Sequence, residues 1–266
     1  MLKALPVLMY HHISPAPGLV TLAPATFRQQ LEAMARAGWK SVTTQALEAF
    51  YAGRPLPDKS VLITFDDGYL DNFVHAHPIL AEFGFTATLF VVTGWIGEGP
   101  VRRGWQDCPS HKECKARIAA GAADSVMLRW SEIEAMQSAG TFEFHSHTHR
   151  HTRWDKSLPP GAARREALGA DLEQSRQTLQ ARLGNCSTHL CWPQGYFEPD
   201  YLQVARSRGF CHLYTTRPDL NLPGNDPLHI GRLVTKEKGG RWIRSRLRIY
   251  ATPWLGRLYN ALKGQP

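Results

Sequence analysis

The sequence has no apolar run long enough to cross a membrane, and its first residues do not have the pattern expected of an export leader. None of its 266 residues belongs to a stretch that approaches about 18 consecutive apolar residues, so a transmembrane helix is not expected. The first residues, MLKALPVLMYHHI, contain one lysine and a short apolar run but no cleavage site of small residues. We therefore expect no signal peptide and a cytoplasmic location.

The sequence contains few cysteines, and their spacing shows no pairing pattern. The five cysteines are an odd number, and no two of them form a CxxC pair, which predicts reduced thiols rather than a disulfide framework. Cys108 and Cys114 flank His111, and this loop is an alternative metal site. Because zinc-binding cysteine pairs are usually closer in sequence, we interpret it as an ordinary polar loop.

Acidic residues are absent from the C-terminal segment 241–266, although the whole chain carries a net charge of +8. Arginines alternate there with Trp, Tyr and Leu, which is typical of a segment that lies at a membrane interface. A terminal helix that packs on the fold and exposes a basic face is the alternative. No nucleic-acid recognition motif accompanies the charge, so no nucleic-acid partner is expected. We divide the chain into a catalytic domain, 1–240, and a basic aromatic tail, 241–266.

No internal repeat, low-complexity tract or long linker interrupts the chain, and short apolar runs alternate with helical patterns. This alternation predicts an α/β fold with a parallel sheet of seven or eight strands, either a barrel or a doubly wound sheet. The main predicted strands are 5–9, 61–65, 87–93, 141–145, 188–192, 210–216 and 228–233. The predicted helices include 26–37, with a Thr26/Gln29 capping box, 45–51, 71–83, a helix capped by Ser131 and Glu134, one ending at Gly184, and 199–208.

Titratable or unusual residues follow several of these strands. His11 and His12 follow the first strand, Asp66 and Asp67 follow VLITF, and PQG follows THLCW. The carboxyl ends of parallel strands lie at one edge of the sheet, where active sites of such folds are found. We therefore expect these residues to form one site.

The segment FEFHSHTHRHT adds four alternating histidines, His145, His147, His149 and His151. Imidazole and carboxylate are ligands that Zn²⁺ prefers, so this segment and the Asp pair predict a metal site. The alternatives are solvent-exposed histidines and an aspartate that only caps a helix. A HExxH protease helix is excluded, because no Glu separates the histidines.

Taken together, TFDDG (64–68), SHTHRH (146–151) and WPQG (192–195) resemble the motifs of the NodB-type polysaccharide deacetylases. VLMYHHI and LHIGRL resemble the branch that includes poly-N-acetylglucosamine deacetylases, and the likeness covers roughly residues 5–234. The resemblance implies an α/β fold that is a distorted (β/α) barrel of about seven parallel strands.

By position, the resemblance implies that Asp66 is the catalytic base and that Asp67, His147 and His151 hold a divalent metal ion. We expect this ion to be Zn²⁺. The chain departs from the family pattern at CWPQG, which lacks the arginine that orients the base, and the resemblance suggests Arg232 instead. The proton donor stays unassigned, with His229 and His11 as candidates.

For substrate contacts we predict His11, Trp192 and Tyr196, with Trp192 as a core aromatic in the alternative interpretation. His145 and His149 fall on positions that the family does not require.

The implied reaction is metal-dependent hydrolysis of an N-acetyl group on an amino sugar of a polysaccharide or glycolipid, in surface-glycan or lipopolysaccharide biosynthesis. The basic tail suggests a glycolipid partner and peripheral contact with the inner membrane face. Alternatives are a deformylase of a lipid-linked amino sugar, a hydrolase of a non-sugar amide, and a glycan- or lipid-binding module with a decayed site.

Overall fold

A computed structural model of the protein describes residues 1–104, 106–184 and 186–264. The strands are β1 (Val7–Tyr10), β2 (His12–Ile13), β3 (Thr21–Leu22), β4 (Lys40–Ser41), β5 (Ser60–Asp67), β6 (Ala87–Val91), β7 (Phe142–Ser146), β8 (His189–Cys191), β9 (His212–Tyr214) and β10 (Leu233–Val234). The α-helices are α1 (Pro24–Arg36), α2 (Thr44–Tyr51), α3 (His77–Phe83), α4 (His111–Ala119), α5 (Trp130–Ser138), α6 (Trp154–Ser157), α7 (Ala162–Leu183), α8 (Pro199–Ser207), α9 (Gly240–Ala251) and α10 (Pro253–Leu262). A π-helical turn over Asn72–Ala76 precedes α3.

Seven parallel strands form one curled sheet in the order β10, β1, β5, β6, β7, β8, β9, and β4 pairs with the start of β5. Tyr214 in β9 bridges to Ile230, while Leu233 in β10 pairs with Leu8 in β1. The segment 230–234 therefore contacts both ends of the sheet. This arrangement confirms the predicted distorted (β/α) barrel of about seven strands and excludes the doubly wound alternative.

Strand β5 is buried along its whole length, as a strand covered on both faces must be. Alternate residues of β5 face the surrounding helices and the barrel interior. Ile63 and Phe65 pack outward against the helices, whereas Leu62 packs inward with Phe90 and Tyr214. Thr64 and Asp66 share the inward face with Leu62, so the strand alternation aims a carboxylate into the barrel at its carboxyl end.

Helix α2 closes the opposite end of the barrel. It follows β4, which pairs with Ser60 at the start of β5. Leu47 and Phe50 of α2 are fully buried among the inward-facing residues. The amino ends of the strands are thus plugged.

Both predicted capping boxes were wrong. Helix α1 begins at Pro24, and the Thr26 hydroxyl donates to the carboxylate of Glu237 instead of capping a helix. Helix α5 begins at Trp130, where Glu132 accepts a hydrogen bond from the backbone N–H of Arg129 at 2.9 Å. At α1 a residue distant in sequence binds the hydroxyl that was expected to cap the helix, whereas at α5 the capping box forms two residues earlier than predicted.

The strand predicted over 228–233 is shorter than expected. Residues Pro227–His229 form a 3₁₀ turn, and β10 contains only two residues. The side chain of Asn221 accepts from the N–H of Gly231 at 2.9 Å and donates to its carbonyl at 3.0 Å. This side chain replaces a strand neighbour, so the ladder cannot continue through Gly231.

The predicted tail is helical and partly integrated into the fold. Ile243, Leu247 and Tyr250 of α9 are buried in the cluster that also contains α1. Helix α10 buries less and leaves several apolar side chains exposed. Over the described ranges, no helix is long and apolar enough to span a bilayer.

Candidate active site

The carboxyl ends of β5 and β7 bring three metal-ligating side chains together. Asp67 is the last residue of β5, and His147 and His151 follow β7. Oδ1 of Asp67 lies 3.3 Å from Nε2 of His147 and 3.5 Å from Nε2 of His151. Two donors at ~2.0–2.2 Å from a tetrahedral ion are roughly 3.3–3.5 Å apart. The three predicted ligands therefore stand at the spacing that one divalent ion requires.

The carboxylate of Asp67 has no other partner for the atom that faces the histidines. Its Oδ1 is buried and accepts no hydrogen bond within the described chain. An unsatisfied buried acceptor costs about 1–3 kcal/mol, and more when it is charged. Burial would raise the pKa of Asp67, but His147 and His151 hold it well below its usual range. The group is thus an ionised carboxylate with a free coordination direction, which fits a bound cation.

Both imidazoles direct Nε2 towards Oδ1 of Asp67. Nδ1 of His147 lies 2.8 Å from the carbonyl oxygen of Cys191, which orients the ring as in many metal sites. Burial lowers the pKa of His151 to about 4, so its imidazole is neutral at neutral pH. Burial opposes protonation of His147, but Cys191 and Asp67 raise its pKa. A proton on His147 balances Asp67, and metal binding would release it.

Backbone strain is concentrated in the loops that carry these residues. Among the described residues, six other than glycine have left-handed φ values, and four of them lie at this edge of the sheet. They are Asp67 (φ 75°), Thr148 (67°), His151 (55°) and Gln194 (58°). Such conformations cost roughly 1–3 kcal/mol each and persist where the surroundings enforce them. The clustering indicates a functional site.

Asp66 points into the barrel and pairs with Arg232. The two Nη atoms of Arg232 donate to the two carboxylate oxygens at 2.6 and 2.8 Å, and both side chains are buried. Nε of Arg232 donates to the carbonyl of Thr215 at 2.8 Å, which fixes the guanidinium. Burial would raise the pKa of Asp66, but Arg232 lowers it, so the carboxylate is ionised. Because Arg232 binds both carboxylate oxygens of Asp66, Asp67 is the aspartate that has an oxygen free to bind a metal ion.

His11 approaches the same carboxylate from the end of β1. Its Nε2 lies 3.6 Å from Oδ2 of Asp66, and its side chain is 18% exposed. Burial lowers the pKa of His11 despite the two nearby aspartates. The imidazole is therefore neutral at neutral pH and lies between Asp66 and the solvent.

Sequence reasoning missed the residues of α7 that hold the histidine loop. Asp171 accepts from the N–H groups of His149 and Arg150 at 3.0 and 2.9 Å, and Ser175 hydrogen-bonds Ser146 at 2.8 Å. Both lie on the same stripe of α7 as the buried leucines 168, 172 and 179. Polar residues among the leucines of one helical face were the available signal.

Two predicted sugar contacts have different surroundings. Trp192 is 1% exposed and packs between Phe197 and Tyr201, so it presents no face to a ligand. The prediction of a stacking role for it is corrected, because the strand end buries the indole in the helix layer. Tyr196 is 37% exposed, and the guanidinium of Arg153 lies 3.8 Å from its ring centroid.

Three other histidines lie outside the ligand cluster. Nδ1 and Nε2 of His145 contact Ser187 and Thr44 inside the barrel, at 2.7 and 3.1 Å. His149 contacts the hydroxyl of Thr93 at 2.9 Å. His229, a candidate proton donor, is exposed in the 3₁₀ turn beside Asp226 and lines a separate cavity. It is not placed to protonate a group at the Asp66 site.

The sequence also matches a known protein family. The profile of the polysaccharide deacetylase family matches residues 53–212, which include Asp66, Asp67, His147 and His151. The chain belongs to the polysaccharide deacetylase family. The resemblance noted in the sequence is thereby confirmed.

Among individual proteins, the structure of IcaB from Ammonifex degensii superposes with a TM-score of 0.74 at 27% identity, covering 94% of this chain and 97% of IcaB. A de-N-acetylase from Aggregatibacter actinomycetemcomitans shares the fold, with a TM-score of 0.74 at 20% identity over 92% of this chain and all of that one. The poly-β-1,6-N-acetyl-D-glucosamine N-deacetylase of Staphylococcus aureus (strain MRSA252) is 21% identical over 82% of this chain and 68% of its own length. YxkH of Bacillus subtilis (strain 168) is 25% identical over 80% of this chain, which spans 65% of YxkH.

Proposed function

We propose that this protein is a metal-dependent N-deacetylase that acts on an N-acetylated amino sugar of a glycan or glycolipid. The observation that carries the proposal is the buried, unpartnered Oδ1 of Asp67 between two imidazoles, beside an ionised Asp66. Family membership and the similarity to a poly-β-1,6-N-acetyl-D-glucosamine N-deacetylase support an N-acetylglucosamine polymer as the first substrate to test.

In this proposal Asp67, His147 and His151 hold the ion. A divalent ion bound there polarises the amide carbonyl and lowers the pKa of a bound water towards ~7. Asp66 accepts the proton of the attacking water, a role worth ~10²–10⁴-fold in rate. Arg232 holds that carboxylate ionised and fixes both of its oxygens. The two adjacent aspartates thus have different roles: Asp67 binds the ion, and Asp66 accepts the proton.

The leaving nitrogen needs a proton when the C–N bond breaks and acetate departs. We assign its delivery to His11, because Nε2 lies 3.6 Å from Asp66 and its side chain reaches the open side of the site. The proton that Asp66 takes from water passes to His11 and then to the amine. We do not assign this role to His229, which is exposed beside Asp226 and lines a separate cavity.

Acetate release tests the reaction. The substrates are β-1,6-linked N-acetylglucosamine oligomers, with the matching N-formyl oligomers as comparison. The proposal expects acetate from the wild type and a loss of about 10²–10⁴-fold in Asp66→Asn at unchanged metal content. Faster release of formate would favour the deformylase, and release from neither by metal-loaded protein would favour the binding module.

We further propose that the C-terminal helices contact an anionic membrane. On α10, Trp254, Leu258 and Leu262 are spaced by four residues and are 64%, 52% and 76% exposed. Beside α9 and the amino terminus lies a cavity of about 1150 Å³. Its charged lining is six cations and one acid: Lys3, Arg36, Lys59, Arg241, Arg244, Arg248 and Asp58.

An exposed apolar stripe on α10 and a cationic cavity beside α9 would suit lipid acyl chains and anionic headgroups. We therefore expect the protein to sediment with vesicles that contain phosphatidylglycerol and to remain free with phosphatidylcholine alone. Trp254→Ser/Leu258→Ser should abolish sedimentation and leave hydrolysis of soluble oligomers unchanged. Equal sedimentation of this variant would reject the membrane contact and retain the deacetylase.

A further inference from the structure

A second set of metal-ligating side chains lies at the closed end of the barrel. Glu48 is on α2, His189 is the first residue of β8, and His212 is the first residue of β9. One potential ligand atom from each side chain lies within 4.8 Å of those of the other two. Because β8 and β9 start here, the cluster is at the opposite end of the strands from Asp67.

The distances in this cluster lie on either side of those at the candidate active site. Oε1 of Glu48 lies 2.9 Å from Nε2 of His189 and 3.6 Å from Nδ1 of His212. These values bracket the roughly 3.4 Å that separates two ligands of a tetrahedral ion. The corresponding distances from Asp67 to its two histidines are 3.3 and 3.5 Å.

Each cluster also contains an unsatisfied buried atom. Nδ1 of His212 is buried and has no hydrogen-bond partner in the described chain, as is true of Oδ1 of Asp67. The imidazole rings of His189 and His212 stack with centroids 4.5 Å apart and an interplanar angle of 17°, so one ring has to turn for both nitrogens to face a single ion. An ion pair between Glu48 and His189 alone leaves Nδ1 of His212 without a partner.

Neighbouring side chains hold two of the three ligand candidates. Nδ1 of His189 contacts the buried hydroxyl of Tyr214 at 3.0 Å, which leaves Nε2 for coordination. Oε1 of Glu48 also accepts from the hydroxyl of Thr188 at 3.3 Å. Glu48 itself is partly exposed and lines an open cavity of about 500 Å³, which gives an ion access from the solvent.

We propose that Glu48, His189 and His212 form a second divalent-metal site, distinct from the deacetylase centre, that takes Zn²⁺ or a similar ion. Two imidazoles and one carboxylate are the donor set of borderline ions such as Zn²⁺ and Co²⁺. The bound ion would tie α2, the helix that plugs the barrel, to the starts of β8 and β9. This site therefore serves stability and not the reaction, which takes place at the other end of the strands.

Metal content separates the two sites. Tag-free protein is equilibrated with Zn²⁺, passed through metal-free buffer and measured by mass spectrometry. We expect two ions per chain in the wild type, and one in each of Glu48→Gln, His212→Gln and Asp67→Asn. His229→Gln is the matched control, because it removes an exposed histidine that also neighbours an acid, and it should keep both ions.

A second measurement does not depend on the first site. In the Asp67→Asn background, Zn²⁺ should raise the melting temperature, because it binds the native state, and the added Glu48→Gln substitution should abolish that rise. One ion per chain in the wild type, retained in Glu48→Gln and His212→Gln, would overturn the proposal. So would a Zn²⁺-induced rise that is equal with and without Glu48.

Discussion

The pair between Asp66 and Arg232 gives the most quantitative prediction. Both partners are buried, and Arg232 donates to both oxygens of Asp66 at 2.6 and 2.8 Å. Arg232→Met keeps an apolar stem of similar length and removes the charge. Breaking a buried ion pair by removing one partner costs about 3–5 kcal/mol, because the remaining charge is unpaired. We expect a loss of this size in the free energy of unfolding at pH 8.

The pH dependence of this loss has a defined sign. In the wild type the lowered pKa of Asp66 contributes stability above its unfolded value of ~3.9, and that contribution is lost as the pH falls through the folded pKa. Without Arg232, burial is left as the main influence and raises the pKa of Asp66. A raised pKa makes the variant lose stability as the pH rises. The difference between variant and wild type should therefore be larger at pH 8 than at pH 5.

Urea unfolding followed by tryptophan fluorescence at both pH values measures the effect. Asp66→Asn/Arg232→Met is the control, because it removes both charges and should recover part of the stability that Arg232→Met loses. Acetate release by Arg232→Met should also have its acidic limb moved to higher pH, since the base is protonated more easily. A loss below about 1 kcal/mol that does not change with pH would refute the reasoning.

Three further predictions concern other parts of the site. His11→Gln should slow acetate release while metal content is unchanged; unchanged release by this variant would remove His11 as the proton donor. Asp171→Asn weakens the acceptor that holds the N–H groups of residues 149 and 150, and should reduce Zn²⁺ affinity by about 10–100-fold in a chelator competition, whereas Glu166→Gln on the same helix should not. Acidification should release the active-site ion, because His151 and Asp67 must be deprotonated to bind it; an ion retained at pH 3 would contradict this ligand set.

The strand ends were predictable because their pattern is local. Continuous apolar runs such as VLITF indicate strands buried on both faces, and the carboxyl ends of parallel strands meet at one edge. This reasoning placed Asp66, Asp67 and the histidine segment together, and the structure has them together. It did not indicate which of the four histidines bind a metal ion. The resemblance to the deacetylase family assigned that role to His147 and His151.

Other features depend on contacts between distant residues. Asn221 replaces a strand neighbour at Gly231, and the Thr26 hydroxyl donates to Glu237; neither contact has a local signature. Trp192 follows a strand as an exposed ligand contact would, yet the helix layer buries it. Glu48 lies more than 140 positions before His189 and His212 in the sequence, so only the fold shows that the three form a cluster.

The central claim is that Asp67 binds a metal ion and Asp66 does not. Metal content and acetate release measured together on the wild type, Asp67→Asn and Asp66→Asn test it directly. The account predicts one ion fewer per chain and no acetate from Asp67→Asn, and an unchanged ion count with acetate release reduced at least about 10²-fold in Asp66→Asn. An ion count that is the same in Asp67→Asn as in the wild type, or one that falls in Asp66→Asn alone, would contradict it.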